Sequence, residues 1–139
     1  MRFMMLMIPS GYEKAEAGAL PTREMVAAMT KYNDALKQAG MLMSLDGLHP
    51  GTDGARVRFS GGKPRVTHGP FPEAKESLGG YWMIQAKSKE EAVEWARRCP
   101  ASDGDVIEVR QVFEMSEFPP EVRKAADSPT VRAEVEKHK

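Results

Sequence analysis

The segment from residue 67 to residue 81 holds several side chains that are capable of acid–base chemistry. It reads Thr-His-Gly-Pro-Phe-Pro-Glu-Ala-Lys-Glu-Ser-Leu-Gly-Gly-Tyr, so an imidazole, two carboxylates and an ammonium group lie among glycines and prolines. A loop stiffened in this way holds ionisable groups in a fixed geometry, which catalysis and ligand binding require. We therefore predict a small-molecule cleft between this loop and the polar face of a sheet.

The catalytic residues predicted in this loop are His68 and Glu76. An imidazole gains or loses a proton near neutral pH, so His68 can act as an acid or a base; a histidine hydrogen-bonded to the backbone explains it equally well. Lys75 is predicted to orient the substrate, and a solvated pair with Glu76 is the alternative. Phe71 is predicted to contact the substrate, or else to fill a gap in the packing, as buried aromatic rings mostly do.

Three further residues, His49, Tyr81 and Arg110, are predicted to bind the substrate. Arg110 and Glu108 alternate with apolar residues on one strand and should project from the sheet face that the helices leave open. Charges in such a place need partners, so they form either a structural ion pair or part of the cleft lining. The histidines and nearby carboxylates lack a tight spacing such as His-x-x-x-His, and we predict no metal site.

Motifs for other chemistries are missing from the sequence. It contains no phosphate-binding loop of the Gly-x-x-x-x-Gly-Lys type, no Gly-x-Gly-x-x-Gly, no Gly-x-Ser-x-Gly and no Cys-x-x-Cys. Nucleotide-driven and acyl-serine reactions are therefore disfavoured, and no cofactor is predicted. The single cysteine, Cys99, suits a reducing compartment and is interpreted as a small apolar filler rather than a reactive thiol.

Composition narrows the class of partner. Lys and Arg total 20, as do Asp and Glu, so the formal net charge is zero. Nucleic-acid binding depends on a surplus of cations, and a dedicated DNA or RNA protein is therefore disfavoured. No apolar run approaches the roughly 20 residues that span a bilayer, so a soluble cytoplasmic protein without a membrane partner is expected.

The first part of the chain predicts a strand and a helix. Phe3 to Ile8 is a continuous apolar run, typical of a central strand that is covered on both faces. A helix is predicted from about Thr22 to Ala39, with Pro21 near its start and Gly40 just past its end. Its apolar stripe at helical spacing consists of Met25, Met29, Tyr32 and Leu36.

The rest of the chain completes a single α+β domain over residues 1–115. Further strands are predicted at about residues 41–48, 80–86 and 106–113, with a hairpin at residues 55–67 and a second helix opened by a capping box at Ser88. The order β-α-β-hairpin-β-α-β predicts a ferredoxin-like antiparallel sheet with both helices on one face. The other face is also apolar, so a second copy should cover it in a homodimeric α+β barrel. Residues 116–139 form a charged tail in which Ser128 and Pro129 could start a short helix.

The loop also resembles the signature of the YCII-related proteins, in the subgroup named for an Asp-Gly-Pro-Phe motif. Gly69-Pro70-Phe71, Lys75-Glu76 and Gly79-Gly80-Tyr81 stand in register with that signature, and the resemblance extends from the first strand to Phe113. His68 occupies the position of the motif's aspartate, so a role that depends on that carboxylate does not transfer. The His–Asp dyad of more distant relatives does not transfer either, because this chain has no histidine before His49.

The resemblance implies a dimeric α+β barrel. Most relatives have no assigned reaction, but some are small-molecule enzymes, for example in the dehydrochlorination of a chlorinated hydroquinone. Some members of the subgroup are encoded beside, or fused to, extracytoplasmic-function sigma factors. The prediction is therefore a small-molecule-binding protein or a small acid–base enzyme. The alternative is a regulatory interaction module that works with such a sigma factor; a purely structural dimer would have no need of a rigid ionisable loop.

Overall fold

The computed structural model describes residues 1–138. The strands are β1 (Arg2–Ile8), β2 (Leu42–Gly47), β3 (Ala55–Ser60), β4 (Lys63–His68), β5 (Gly80–Gln85) and β6 (Val106–Gln111). The helices are α1 (Arg23–Gln38), α2 (Lys89–Arg97), α3 (Pro120–Ala126) and α4 (Pro129–Lys137). The sequence pattern does not predict α3, whereas every predicted element up to residue 113 is present within one or two residues of its expected bounds.

The main sheet has four strands in the order β2-β5-β1-β6, and each neighbouring pair is antiparallel. The central position of β1, predicted from its apolar run, is confirmed. The connection through α1 leads from β1 to β2 across the intervening β5, which is a split β-α-β arrangement. The chain is thus an α+β protein whose antiparallel sheet is consistent with the ferredoxin-like fold.

The core lies between the main sheet and the helices α1 and α2. Alternate residues of β1, namely Phe3, Met5 and Met7, are buried and belong to one apolar cluster with Tyr32 and Leu36 of α1. Successive side chains of a strand point to opposite faces, so this alternation identifies the face that the helices cover. Burial of such large apolar side chains supplies most of the free energy that holds the helices on the sheet.

Polar contacts fix the two helices relative to the sheet. The Trp82 indole N–H donates to the Asn33 side-chain oxygen at 2.7 Å, and the Tyr32 hydroxyl donates to the Trp95 carbonyl oxygen at 2.7 Å. Tyr32 also meets Trp82 edge to face, with ring centroids 5.7 Å apart. Because Trp82 belongs to β5 and Trp95 to α2, these contacts join α1 to both of its neighbours.

Helix α1 begins as predicted, but its first turn extends beyond the core and is exposed. Thr22 caps the helix by accepting a hydrogen bond from the Met25 backbone N–H at 3.2 Å. Tyr32 and Leu36 are buried and Met29 packs beside them, whereas Met25 is 57% exposed. The predicted stripe is therefore wrong at Met25, because the stripe is longer than the core that it covers.

The other face of the main sheet carries apolar side chains that point away from α1 and α2. Its central members are Met4, Leu6 and Ile8 of β1 with Tyr81 and Met83 of β5, and all of them are half-buried. In the antiparallel register Leu6 lies opposite Tyr81, and Met4 lies opposite Met83. We call this surface the open face. Its centre is apolar, as the continuous run in β1 predicts, whereas β6 adds the charged side chains of Glu108 and Arg110 to the same face.

β3 and β4 form a hairpin that is a sheet of its own, separate from the main sheet. Gly61 and Gly62 make its turn with φ angles of 58° and 75°, which favour glycine. The alternation of Val57 and Phe59 with Arg56 and Arg58 predicts a half-exposed strand at β3. This prediction is wrong, because all residues of both strands are exposed. The reason is that the apolar side of the hairpin, with Val57 and Phe59, does not lie on the sheet of the same chain.

The tail leaves the domain beside the first strand. Glu114 accepts two hydrogen bonds from the Arg2 guanidinium, at 2.7 and 3.1 Å, and this pairing raises the pKa of Arg2. Further along, the Ser128 hydroxyl caps α4 by accepting a hydrogen bond from the Val131 backbone N–H at 3.4 Å. Among residues 1–138, no helix is both long enough and apolar enough to cross a membrane.

Candidate functional site

The loop between β4 and β5 is tied down by backbone hydrogen bonds at both ends. The Gly69 N–H donates to the Gly54 carbonyl oxygen at 2.9 Å, where the hairpin ends. The Gly79 N–H donates to the Met7 carbonyl oxygen at 2.8 Å, and the Gly79 carbonyl oxygen accepts from the Leu48 N–H at 2.9 Å. The loop is therefore fixed against the end of β1 and against the segment that follows β2.

An open cavity of about 380 Å³ borders this loop. Its lining residues come from β1, the segment after β2, the hairpin and the loop itself: Ile8, His49, Gly51, Arg56, Glu76, Ser77 and Leu78. We call it the loop cavity. Its volume is typical of small-molecule sites, and it brings together two of the predicted site residues, His49 and Glu76.

His49 faces a carboxylate at this cavity. Its Nδ1 atom is 3.5 Å from the Oδ2 atom of Asp53, four residues further along the chain. Asp53 is itself anchored, because the same Oδ2 atom accepts a hydrogen bond from the Gly18 N–H at 2.9 Å. The imidazole is 79% exposed, so a ligand can reach it directly.

Arg56 reaches the cavity from β3 and has two supports. Its guanidinium carbon lies 4.2 Å from the centroid of the Phe71 ring, which is a cation–π contact. One of its guanidinium nitrogens is 3.4 Å from a carboxylate oxygen of Glu73. The Phe71 ring also packs against Gly51, where an added Cβ would sit 3.4 Å from it. Phe71 therefore supports Arg56 and is not among the residues that line the cavity.

Glu76 and Lys75 occupy different surroundings although they are neighbours in sequence. Glu76 lines the loop cavity, whereas Lys75 is exposed and lies outside the cavity lining. In the described part of the chain, the two side chains form no ion pair with each other. Glu76 therefore lines the cavity together with Arg56 and not with Lys75, and the substrate-orienting role of Lys75 stays a prediction.

His68 lies at the end of β4, where strand pairing decides which way its side chain points. Residues directly opposed in the hairpin share a face, and this rule puts His68 with Val57 on one face and Arg56 on the other. His68 is exposed and is not among the lining residues of the loop cavity. His68 thus lies outside the lining of the cavity to which His49 belongs, and its role as an acid or a base stays a prediction.

Tyr81 and Arg110 lie on the open face, outside the lining of the loop cavity. The Tyr81 hydroxyl donates to an Asp46 carboxylate oxygen at 2.8 Å, and this hydrogen bond raises the pKa of Tyr81. A guanidinium nitrogen of Arg110 is 3.3 Å from a carboxylate oxygen of Glu108. Glu108 and Arg110 are expected to form either a structural ion pair or part of the cleft lining, and the structure contains the ion pair. Binding of substrate by Tyr81 and Arg110 stays a prediction.

Sequence reasoning missed Arg56 and Asp53 as members of the site. The alternation of apolar and polar residues in β3 indicates only that Arg56 is on a polar face. Asp53 belongs to a segment whose residue types are typical of a turn. The one available signal was the spacing of four between His49 and Asp53. Within residues 1–138, no three His, Cys, Asp or Glu side chains form a group that could hold a metal ion.

Cys99 is half-buried and packs against the core, outside the loop cavity. Burial raises the pKa of its thiol to about 11, and the charge of Asp105 adds to this effect. Only the thiolate reacts with iodoacetamide, so we expect alkylation to accelerate about tenfold from pH 8 to pH 9 and to keep rising beyond pH 10. Mass spectrometry of the alkylated fraction measures the rate.

The same chain unfolded in urea is the control for Cys99. There the ordinary thiol pKa of about 8.5 applies, so the alkylation rate should level off above pH 9. A folded protein whose rate levels off at that same pH would contradict the expected burial of the thiol.

Comparison with known proteins agrees with the architecture. The YCII-related domain matches residues 1–116. Over 75 residues the chain is 39% identical to an uncharacterized protein of Rhizobium meliloti (strain 1021), and this alignment covers 54% of the chain and 57% of that protein. The chain thus spans little more than half the length of the curated relative that it matches. Because the domain match includes every strand of the main sheet and the hairpin, the chain belongs to the YCII-related family.

Proposed function

We propose that the chain binds a small organic molecule in the loop cavity and transfers a proton there. The observation that carries this proposal is the pairing of the exposed His49 with the anchored Asp53 at a cavity that also presents Glu76. With the proton of the neutral imidazole on Nδ1, facing this carboxylate, Nε2 is left to accept one from a ligand. In this scheme His49 is the base and Asp53 is the positioning residue.

The other residues at the cavity suggest which molecules fit. Arg56 is held by Phe71 and Glu73, so its guanidinium is pre-positioned to donate to an oxygen of the ligand. Ile8 and Leu78 supply apolar lining. A small molecule with an apolar body and a hydroxyl or carboxylate group suits this combination.

The histidines allow a direct test by NMR, because the chain contains only three. Their ring C–H signals report separately on His49, His68 and His138 during titration with a set of phenols and short carboxylic acids. A ligand of the loop cavity should shift the His49 signal and leave the signal of His138, in the tail, unchanged. His49→Ala and Glu76→Gln should each weaken binding about tenfold, since each removes a hydrogen-bonding partner of the ligand.

Glu90→Gln, at an exposed position of α2, is the matched control for Glu76→Gln and should leave the affinity unchanged. Shifts confined to His68 would move the site to the other face of the hairpin and overturn the assignment to the loop cavity. Binding that survives both His49→Ala and Glu76→Gln would overturn it too, as would a His49 signal that no compound shifts.

We also propose that two copies meet through their open faces to form a dimeric α+β barrel. Met4, Leu6 and Met83 support this arrangement, because an apolar sheet face favours association with a partner. The hairpin supports it as well: an isolated two-stranded hairpin is at best marginally stable in water, and Val57 and Phe59 are exposed. A second copy would cover both surfaces.

As a second candidate function we propose a regulatory interaction module for an extracytoplasmic-function sigma factor, which the resemblance to the Asp-Gly-Pro-Phe subgroup suggests. The observation that favours it is in α4, where Val131 and Val135 are four residues apart on one side of the helix and more than half exposed. Such a stripe suits a groove on a protein partner. A sigma factor that co-purifies with the full chain, and is lost on changing both valines to lysine, would support this function; a chain that retrieves only itself would refute it.

A further inference from the structure

A second open cavity, of about 500 Å³, lies between α2 and the edge strand β6. Its apolar lining includes Val93 and Ala96 of α2 with Ile107 and Val109 of β6. We call it the flank cavity. Its volume is typical of ligand sites, and it shares no lining residue with the loop cavity.

A cation stands at each end of this apolar surface. Lys89, Val93 and Arg97 line the cavity and follow one another at intervals of four residues, so α2 presents them as one stripe with the valine in the middle. At about 1.5 Å per residue, the Cα atoms of Lys89 and Arg97 are about 12 Å apart along the helix axis. Both are exposed. The guanidinium of Arg97 lies 3.4 Å from the exposed carboxylate of Glu94, which competes weakly with a ligand.

The carboxylate among the lining residues is already hydrogen-bonded on both oxygens. Asp105 accepts from the Ser10 backbone N–H at 2.8 Å with one oxygen and from the Ser102 backbone N–H at 2.9 Å with the other. Backbone donors thus occupy both oxygens, and neither oxygen pairs with Lys89 or Arg97, so two cations and one hydrogen-bonded carboxylate stand among the lining residues. The flank cavity therefore offers an apolar middle and a positive charge at each end.

We propose that the flank cavity binds a linear molecule with an anionic group at each end of an apolar chain, that is, an α,ω-dicarboxylate of medium length. Its methylene groups would lie on Val93, Ile107 and Val109, and its carboxylates would meet Lys89 and Arg97. An extended ten-carbon chain spans a distance close to the separation of Lys89 and Arg97 along α2. This site does not depend on the function proposed for the loop cavity.

Calorimetric titration with decanedioate tests the proposal. We expect decanedioate to bind about fivefold more tightly than decanoate, which lacks one carboxylate, and more tightly than butanedioate, which lacks the apolar chain. Lys89→Glu and Arg97→Glu should each weaken the binding of decanedioate about fivefold, because an attraction becomes a repulsion. Lys31→Glu and Lys37→Glu make the same change of charge on α1, outside the cavity lining, and should leave the affinity unchanged.

Alkylation of Cys99 gives a second measurement, because this residue also lines the flank cavity. Saturating decanedioate should slow the reaction of Cys99 with iodoacetamide severalfold in the parent chain. Val93→Asp changes an exposed position of α2 and should remove this protection while the protein stays folded. Equal binding of decanoate and decanedioate, charge reversals in α2 without effect, or a Cys99 that decanedioate leaves unprotected would each overturn the proposal.

Discussion

Leu6→Arg is expected to abolish the proposed association of two copies through their open faces. Leu6 lies at the centre of the open face, opposite Tyr81 of β5 and Glu108 of β6. In a two-fold assembly the substitution acts twice, so two leucine anchors would be lost and two guanidinium groups, each opposite Glu108, would be buried in the interface. At about 2 kcal/mol for each lost anchor, the dissociation constant of the dimer should rise about a thousandfold. Light scattering at micromolar concentration measures the change in mass.

Leu20→Arg is the matched control, because Leu20 is 86% exposed in the segment before α1 and the same change there should leave the mass unaltered. Circular dichroism should show that the Leu6 variant keeps its secondary structure, since the side chain points away from the buried core. A parent chain that is monomeric at micromolar concentration, or a Leu6→Arg variant that remains dimeric, would refute the barrel.

Gly69→Ala should destabilise the protein and distort the loop cavity. A Cβ atom at this position would overlap the Gly51 carbonyl oxygen and lie 2.9 Å from the Thr52 carbonyl oxygen. Both atoms belong to the backbone of the segment that carries His49 and Asp53, so the collision can be relieved only by moving that segment. Overpacking of this kind costs about 1–3 kcal/mol of the free energy of unfolding. Urea unfolding followed by tryptophan fluorescence measures it.

Gly47→Ala is the comparison for Gly69→Ala, because a Cβ there would have its nearest neighbour, the Gly79 carbonyl oxygen, at 3.9 Å. This ordinary contact should leave the free energy of unfolding within about 0.5 kcal/mol of the parent value. Both variants should be measured at one protein concentration, since association shifts apparent stability. Equal stability of the two variants would show that the loop does not approach Gly51 as closely as described.

Much of the fold could be predicted because the spacing of apolar residues and the residues that start and end helices act locally. The Ser88 hydroxyl accepts a hydrogen bond from the Glu91 backbone N–H at 3.1 Å and starts α2, as predicted, while the Glu91 carboxylate accepts from the Lys87 backbone N–H at 2.8 Å rather than from that of Ser88. A pattern cannot say, however, whether an apolar face meets its own chain or another one. Val57 and Phe59 alternate correctly for a strand, but their face lies exposed on a separate hairpin. The same ambiguity explains Met25, which continues the stripe of α1 beyond the core.

The site could be predicted only in part, because single-residue geometry decides which side chains converge. The direction of a side chain reverses with every residue of a strand, so the pairing of β3 with β4 turns His68 away from Arg56. His49 and Asp53 meet because the segment between them folds into a tight helical turn at Gly51–Asp53. Neither the pairing register nor this turn is readable from residue types alone.

The adjacency of β1 and β6 in the main sheet brings the two ends of the domain together. Phe3 lies opposite Gln111, and the Val112 N–H donates to the Arg2 carbonyl oxygen at 2.9 Å. The whole domain could therefore be inserted into a loop of another protein without distorting that loop. A short linker could likewise join the two ends in a circular permutant. The arrangement suits this domain to serve as a module that is moved between larger polypeptides.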